Sequence, residues 1–137
     1  MAVVFGSEIV AEEVYAVLDP LTAFPIRNIS VAPEGTGLPA VLHYMEAGTY
    51  DGPIGQTAIS EAMRYVVRFV CEGASTDPIR AGAEAAFAAL DGHEATRSGC
   101  YLAFQASGEW PLTTVLEGGV LYRQLGFFLT VNLTQGD

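Results

Sequence analysis

The chain has 137 residues, half of them hydrophobic, and sixteen acidic against six basic residues give it a formal net charge of −10. This length suits one domain over residues 1–137 with a single hydrophobic core, and the hydrophobic content excludes a disordered chain. All six basic residues are arginines scattered among acidic residues, so a surface that binds duplex phosphates is not expected.

The N-terminal sequence Met1–Gly6 has no basic segment and too short an apolar run for a secretory signal. The apolar runs elsewhere stop well before the roughly 20 residues that a membrane helix needs. We therefore expect a cytosolic, unprocessed chain. In such a protein Cys71 and Cys100, both in apolar strand-like segments, are predicted to be buried thiols.

The first half of the chain predicts one helix and two strands. Helical spacing of valines, with glutamates opposite, indicates a helix over residues 7–18 with Ser7 as its N-cap. Prolines end this helix, and a short strand is expected at Ile26–Val31, followed by a second strand at Ala40–Ala47. The segment 48–60 is predicted to be a loop, longer than most hairpin connections.

A third strand is predicted at Glu61–Cys71, where apolar and polar residues alternate cleanly. Arg64 and Arg68 would lie on the polar face of this strand. The pattern therefore indicates a half-buried strand with its apolar face toward the core.

The last third of the chain predicts a helix and two strands. Asp77 is the expected N-cap of a helix that begins with a proline and stops at Gly92. Strands are predicted at Cys100–Ala106 and Val120–Leu133, with a loop over 107–119 between them. Together these elements predict an α+β fold, with an antiparallel or mixed β-sheet of about four to five strands covered by two helices.

No residue pattern in the sequence points to a catalytic, metal or cofactor site. His43 and His93 lack neighbouring ligands at metal-binding spacing, and the Gly35–Gly37 turn is not followed by the lysine of a phosphate-binding loop. A nucleophile pair of His43 with Cys71 or Cys100 remains an alternative, because such pairs assemble in space. We expect no cofactor and no enzymatic activity.

Candidate interaction residues lie in the two predicted loops and on the last strand. Tyr50 and Ile54 belong to the first loop, and Trp110 and Leu112 to the second. Trp110 has two interpretations, an aromatic side chain packed over the sheet edge or an anchor at a subunit contact. Arg123 interrupts the apolar face of the last strand, so we expect it at a sheet edge or paired with an acid across a subunit boundary.

The order of these segments resembles the tail-terminator proteins of long-tailed bacteriophages, also described as tail-completion or head–tail joining proteins. The resemblance spans nearly the whole chain, with a Leu38-Pro39 entry to a strand, a charged strand at Arg64–Val70 and an alanine-rich helix. The most telling part is the closing Tyr-Arg-x-x-Gly-aromatic segment, which begins at Tyr122.

The resemblance implies a structural virion protein of the tail, assembled in the host bacterial cytoplasm. Such a protein forms a homo-oligomeric ring, a hexamer in this family, that caps the tail tube at its final length and offers the surface that joins the head. Its implied partners are other copies of itself, the tail tube protein and a head–tail connector or neck protein. DNA would pass through the lumen without sequence-specific binding, and a strongly acidic chain suits such a channel.

Two alternatives remain open at this point. The chain could be another virion component, from the neck or the tail tube. It could instead be a small-molecule-binding or enzymatic α+β domain with a pocket between helix and sheet.

Overall fold

The computed structural model describes residues 4–28, 38–48, 53–54, 60–73, 75–117 and 119–135. These residues form two α-helices, a short 3-10 helix and eight strands. The helices are α1 (Gly6–Leu18) and α2 (Asp77–Leu90), and the 3-10 helix is Asp19–Leu21. The strands are β1 (Val4–Phe5), β2 (Ile26–Arg27), β3 (Ala40–Gly48), β4 (Pro53–Ile54), β5 (Ser60–Glu72), β6 (Glu94–Arg97), β7 (Cys100–Glu117) and β8 (Val120–Gln135).

Six strands form one mixed sheet in the order β2-β3-β5-β8-β7-β6. Strands β2 and β3 run parallel, and the other neighbouring pairs are antiparallel, while β1 and β4 form a separate two-stranded sheet. The predicted α+β fold is confirmed. The main sheet has six strands, whereas four to five were predicted. Strand β6 was not predicted, because its sequence, Glu-Ala-Thr-Arg, lacks the apolar alternation that indicates a strand.

The core lies between the two helices and one face of the sheet. Helix α1 contributes Val10, Val14 and Leu18, which recur at helical spacing and are fully buried. The sheet contributes alternate residues of its central strands, among them Phe69 of β5 and Leu129 of β8. The period of 3.6 in the helix and of 2 in the strands thus places both apolar faces against each other.

Both helices begin at positions slightly different from those predicted. Helix α1 begins at Gly6, so Ser7 lies inside it rather than at its N-cap. Thr76, not Asp77, is the N-cap of α2, and its side chain makes no capping hydrogen bond. Asp77 thereby becomes the first helical residue, where its negative charge still favours the helix dipole. Gly92 follows the end of α2 with a φ of +83°, as the predicted stop requires.

Strand β5 is buried on both faces over its central part, so the prediction of a half-buried strand is wrong there. Val66, Arg68 and Val70 on the face away from the helices are all buried. The cause is the central position of β5 between β3 and β8. Val66 lies opposite Tyr44 of β3 and Phe128 of β8 in the register, so large side chains flank it on both sides.

The predicted loop over 107–119 is also wrong, because β7 continues as a strand to Glu117 and pairs with β8 as far as Val120. The register shifts between Ala106 and Gly108 and again between Trp110 and Thr113. These irregularities accommodate a glycine and a proline in the strand, the two residue types that indicate a loop in the sequence.

The predicted loop over 48–60 contains β4, which pairs with β1 through Val4 and Ile54. Gly48 is the last residue of β3, and Ser60 is the first residue of β5. Residues 49–52 and 55–59 lie outside the described residues. The predicted strand at Ile26–Val31 is present as β2, and its residues 29–31 also lie outside that part of the chain.

Gly126 allows β8 to approach β5 closely. A Cβ atom at this position would collide with the main-chain oxygen of Val67 and would lie 2.8 Å from the Cα of Arg68. No other residue type avoids that overlap. The glycine of the closing segment is therefore a packing requirement of the sheet.

Residues of the two outermost strands meet beside α1. Ile26 of β2 and Arg97 of β6 line the same groove, together with Ala11 and Tyr15 of the helix. The sheet thus curls around α1, so that its two edges approach each other. None of the helices in the described ranges is long and apolar enough to cross a membrane.

Candidate functional site

The structure separates the residues that the sequence singles out as a candidate interface. Tyr50 lies outside the described residues, and Ile54 belongs to the small two-stranded sheet. The main chain of Trp110 and Leu112 belongs to β7, at its second register shift. Arg123 lies on β8. The proposed contribution of these side chains to subunit contacts remains a prediction.

Arg123 is not at a sheet edge, which corrects that expectation. It lies on an interior strand, opposite Cys71 of β5 and Thr114 of β7. Its Nε atom is buried and has no hydrogen-bond partner, and no acid within 4 Å is found for it among the described residues. Burial raises the pKa of the Cys71 thiol, and the positive charge of Arg123 opposes that shift.

The hairpin of β7 and β8 has an open outer edge. Strand β6 pairs only with residues Cys100–Ala103 of β7, so the main chain from Gly108 to Glu117 has no strand neighbour on that side in the part of the chain that is described. Leu116, near the end of the hairpin, is 71% exposed. Natural proteins usually blunt such edges, because unpaired main-chain groups pair readily with another strand.

A groove of about 400 Å³ lies between α2 and the hairpin. Phe87 of α2 is 39% exposed and meets Phe127 of β8 edge to face, with ring centroids 5.4 Å apart. The lining residues combine this apolar floor with a charged rim: Arg80, Ala83, Glu84, Phe87, Glu109, Leu125, Gly126 and Phe127. An exposed aromatic side chain at the floor of a groove is a candidate contact point.

Three charged or titratable residues connect α1 to the outer strand β6. The buried carboxylate of Glu13 accepts hydrogen bonds from His93 Nε2 at 2.7 Å and from Arg97 Nε at 3.0 Å. Glu12, the exposed neighbour in the helix, is 3.8 Å from Arg97 Nη1. This cluster satisfies a buried acid and fixes the sheet edge to the helix, which is a structural role.

His43 and Tyr65 form a second buried polar pair, beneath the groove beside α1. His43 Nδ1 lies 2.6 Å from the Tyr65 hydroxyl, and His43 is only 2% exposed. Burial lowers the pKa of His43 to about 4, so the imidazole is neutral near pH 7, and burial also raises the pKa of Tyr65. When the Tyr65 hydroxyl donates to His43 Nδ1, the neutral imidazole carries its proton on Nε2. The buried hydroxyl of Tyr65 then has a hydrogen-bond acceptor.

The groove above this pair has a volume of about 540 Å³ and is lined in part by His43 and Arg97. It lies between helix and sheet, the position expected for a pocket in the small-molecule alternative. Its volume falls in the range of ligand pockets, but it is an open groove and not an enclosed cavity. Its polar groups come from elements far apart in the chain, so no spacing in the sequence connects them.

Both cysteines are buried free thiols, as predicted. The Cys71 thiol donates to the carbonyl oxygen of Ser75, and that of Cys100 to Ser98. The histidines bond elsewhere, His43 to Tyr65 and His93 to Glu13, so no Cys–His pair is formed among the described residues. No group of three metal-ligating side chains occurs there either.

Two arginines on the sheet face away from the helices lie over aromatic rings. The guanidinium of Arg64 is 4.0 Å from the centroid of the Phe128 ring, and its Nε is 3.4 Å from Glu46. Arg68 lies 5.7 Å from the Tyr44 ring, and burial lowers the pKa of its guanidinium. Both guanidinium groups therefore pack against aromatic rings of the sheet and do not form a continuous basic patch.

No protein-family model matches the chain, and no curated protein matches it at a significant level.

Proposed function

We propose that this chain is a structural virion protein that forms a homo-oligomeric ring, caps a phage tail tube at its final length and provides the surface that joins the head. The proposal rests on the resemblance to tail-terminator proteins and requires no catalytic activity or cofactor. In this role the protein is located in the tail of the virion after assembly in the bacterial cytoplasm.

The observation that carries the proposal is the open edge of the β7–β8 hairpin. Its strands are the longest in the described part of the chain, with 18 and 16 residues. The outer side of β7 is hydrogen-bonded as far as Ala106 and has no strand neighbour among the described residues from Gly108 to Glu117. The exposed Leu116 lies at the end of this edge. A strand edge with an exposed apolar residue supports a role in assembly, because such edges are sites of strand addition.

The proposed partners are further copies of the chain, the tail tube protein and a connector or neck protein. A net charge of −10 supports the passage of DNA through a ring lumen without sequence-specific binding, since acidic walls repel phosphates.

Tail tube protein from the same phage provides the test. Tubes should stop growing when this chain is added, and electron micrographs should show additional ring density at a tube end. Tube protein alone is the control. Continued growth with bare tube ends would contradict the proposal, and a chain that polymerises into tubes by itself would favour the tail-tube alternative.

The groove beside α1 supports a second candidate, a small-molecule-binding domain. The buried His43 lines this groove with Arg97 near it. Ligand-detected NMR with a library of small polar molecules tests this candidate, with His43→Gln as the comparison. Binding that disappears in the variant favours it, and equal signals from both proteins count against it.

A further inference from the structure

The end of the hairpin has main-chain groups that point outward. Gly73 N donates to the carbonyl oxygen of Leu121 at 2.9 Å, so the polar groups of Leu121 face β5 and not β7. Leu121 is opposite Leu116 in the register. Because the two residues of a non-hydrogen-bonded antiparallel pair both turn their polar groups away from each other, the N–H and C=O of Leu116 point to the open edge.

The protection of this edge is uneven along β7. Near Gly108 and Pro111 the strand has register shifts, a glycine and a proline, which are the usual means of blocking strand addition. From Thr113 to Glu117 the pairing with β8 is continuous, and the sequence Thr-Thr-Val-Leu-Glu favours a strand. Among the described residues, the edge therefore has no strand partner at the end of the hairpin, where Leu116 is exposed.

The exposed groove of α2 lies on a different part of the molecule. Leu116 is not among its lining residues. Its partner in the register, Leu121, is four positions along β8 from Leu125, which lines the groove. That separation is roughly 13 Å at the rise of a strand. The apolar side chain and the apolar groove of one copy are thus distinct patches.

We propose that the end of the hairpin in one copy, centred on Leu116, packs into the α2 groove of the next copy and contacts Phe87. The groove supplies an exposed ring, and its rim supplies the carboxylates of Glu84 and Glu109 as acceptors. The hairpin end supplies an exposed leucine and the outward N–H and C=O of Leu116. The rim carboxylates can accept from this N–H, and Arg80 of the rim can donate to this C=O. Contacts between two different patches are head-to-tail, and they close into a ring when the rotation between copies allows closure. The inference therefore rests on the proposed ring and names its interface.

Single substitutions test each half of this contact. Leu116→Asp and Phe87→Asp should each weaken self-association roughly tenfold or more, since both place a charge in the apolar contact. Leu21→Asp, a substitution of a similarly exposed apolar residue in the 3-10 helix that lines neither groove, is the matched control and should leave assembly unchanged. All proteins are compared under the conditions, free or with tail tube protein, in which the unaltered chain forms rings.

A mixture of the two defective proteins gives the sharpest result. One variant keeps an intact groove and the other an intact hairpin end, so the mixture should form dimers through one intact contact but no rings. If the Phe87→Asp protein is unfolded by circular dichroism, Leu116→Cys mixed with Phe87→Cys replaces it. This mixture should give a disulfide-linked dimer that neither protein gives alone.

The outcomes separate the interface from the ring itself. Rings that persist in both aspartate variants, or disulfide dimers of the Leu116→Cys protein alone, overturn the interface while leaving the ring proposal in place. An unaltered chain that is monomeric at every concentration, with and without tube protein, overturns both.

Discussion

Arg97 Nε donates a hydrogen bond of 3.0 Å to the buried Glu13 carboxylate, although 84 residues separate them in the chain. The contact connects α1 to β6, an outer strand of the main sheet, and His93 bonds the second carboxylate oxygen at 2.7 Å. The buried Glu13 carboxylate of α1 therefore holds the outer strand β6 against the helix.

Replacing Glu13 with alanine should lower the free energy of unfolding by about 1–3 kcal/mol, because the side chains of Arg97 and His93 lose their acceptor. Glu12→Ala is the matched control. The Glu12 side chain is 63% exposed, and its carboxylate lies 3.8 Å from Arg97 Nη1, which is too far for a hydrogen bond. The loss of stability in Glu12→Ala should therefore stay within about 0.5 kcal/mol. Urea denaturation of both variants measures the difference, and equal losses would remove the special role of Glu13.

His43 should make stability depend on pH in the weakly acidic range. Burial lowers its pKa to about 4 from an ordinary 6.5, so the unfolded chain binds the proton more readily than the folded chain. The free energy of unfolding should fall as the pH drops from about 6.5 toward 4, by at most about 1.4 kcal/mol per pH unit. Denaturation of the protein and of His43→Gln across this range should show a shallower dependence in the variant. Parallel curves would disprove the assignment.

Tyr65→Phe should cost about 1–3 kcal/mol of stability, because it leaves His43 Nδ1 buried without its partner at 2.6 Å. Tyr15→Phe, which removes an exposed hydroxyl, serves as the comparison and should have almost no effect. Thermal and urea unfolding measure both. A stable Tyr65→Phe protein would mean that the hydroxyl does not satisfy the histidine.

Gly126→Ala should destabilise the fold by more than about 2 kcal/mol, because the added Cβ overlaps the main chain of Val67 in the central strand β5. Asn132→Ala, an exposed position on the same strand, is the control. Circular dichroism during urea unfolding is sufficient for this comparison. A Gly126→Ala protein as stable as the control would show that the two strands separate at little cost.

The fold class was predictable because it depends on local periodicity. Both helices and the strands β3 and β5 were predicted within one or two residues, and each shows apolar spacing over many positions. Gly108 and Pro111 indicated a loop in β7, yet pairing with β8 outweighs their local preference. Strand β6 was missed because its four residues have no strand pattern and pair through their main chain.

The polar clusters were not predictable in the same way. Glu13 reaches residues 80 and 84 positions away, and His43 reaches Tyr65 across two strands of the sheet. Sequence spacing carries no signal for such pairs, since they depend on how the sheet curls. The expectation that the glutamates lie opposite the valines is wrong for Glu13, which is buried. A residue three positions after Val10 and one before Val14 lies on the same helix face as these valines.

The mass of the assembled protein tests the central proposal most directly. Sedimentation velocity and native mass spectrometry over a wide concentration range, with negative-stain microscopy and with tail tube protein as a second condition, measure it. The proposal predicts a closed ring with about six times the 14.5 kDa mass of the chain, as the resemblance implies. A species of 14.5 kDa under every condition, with no rings in the micrographs, would contradict it.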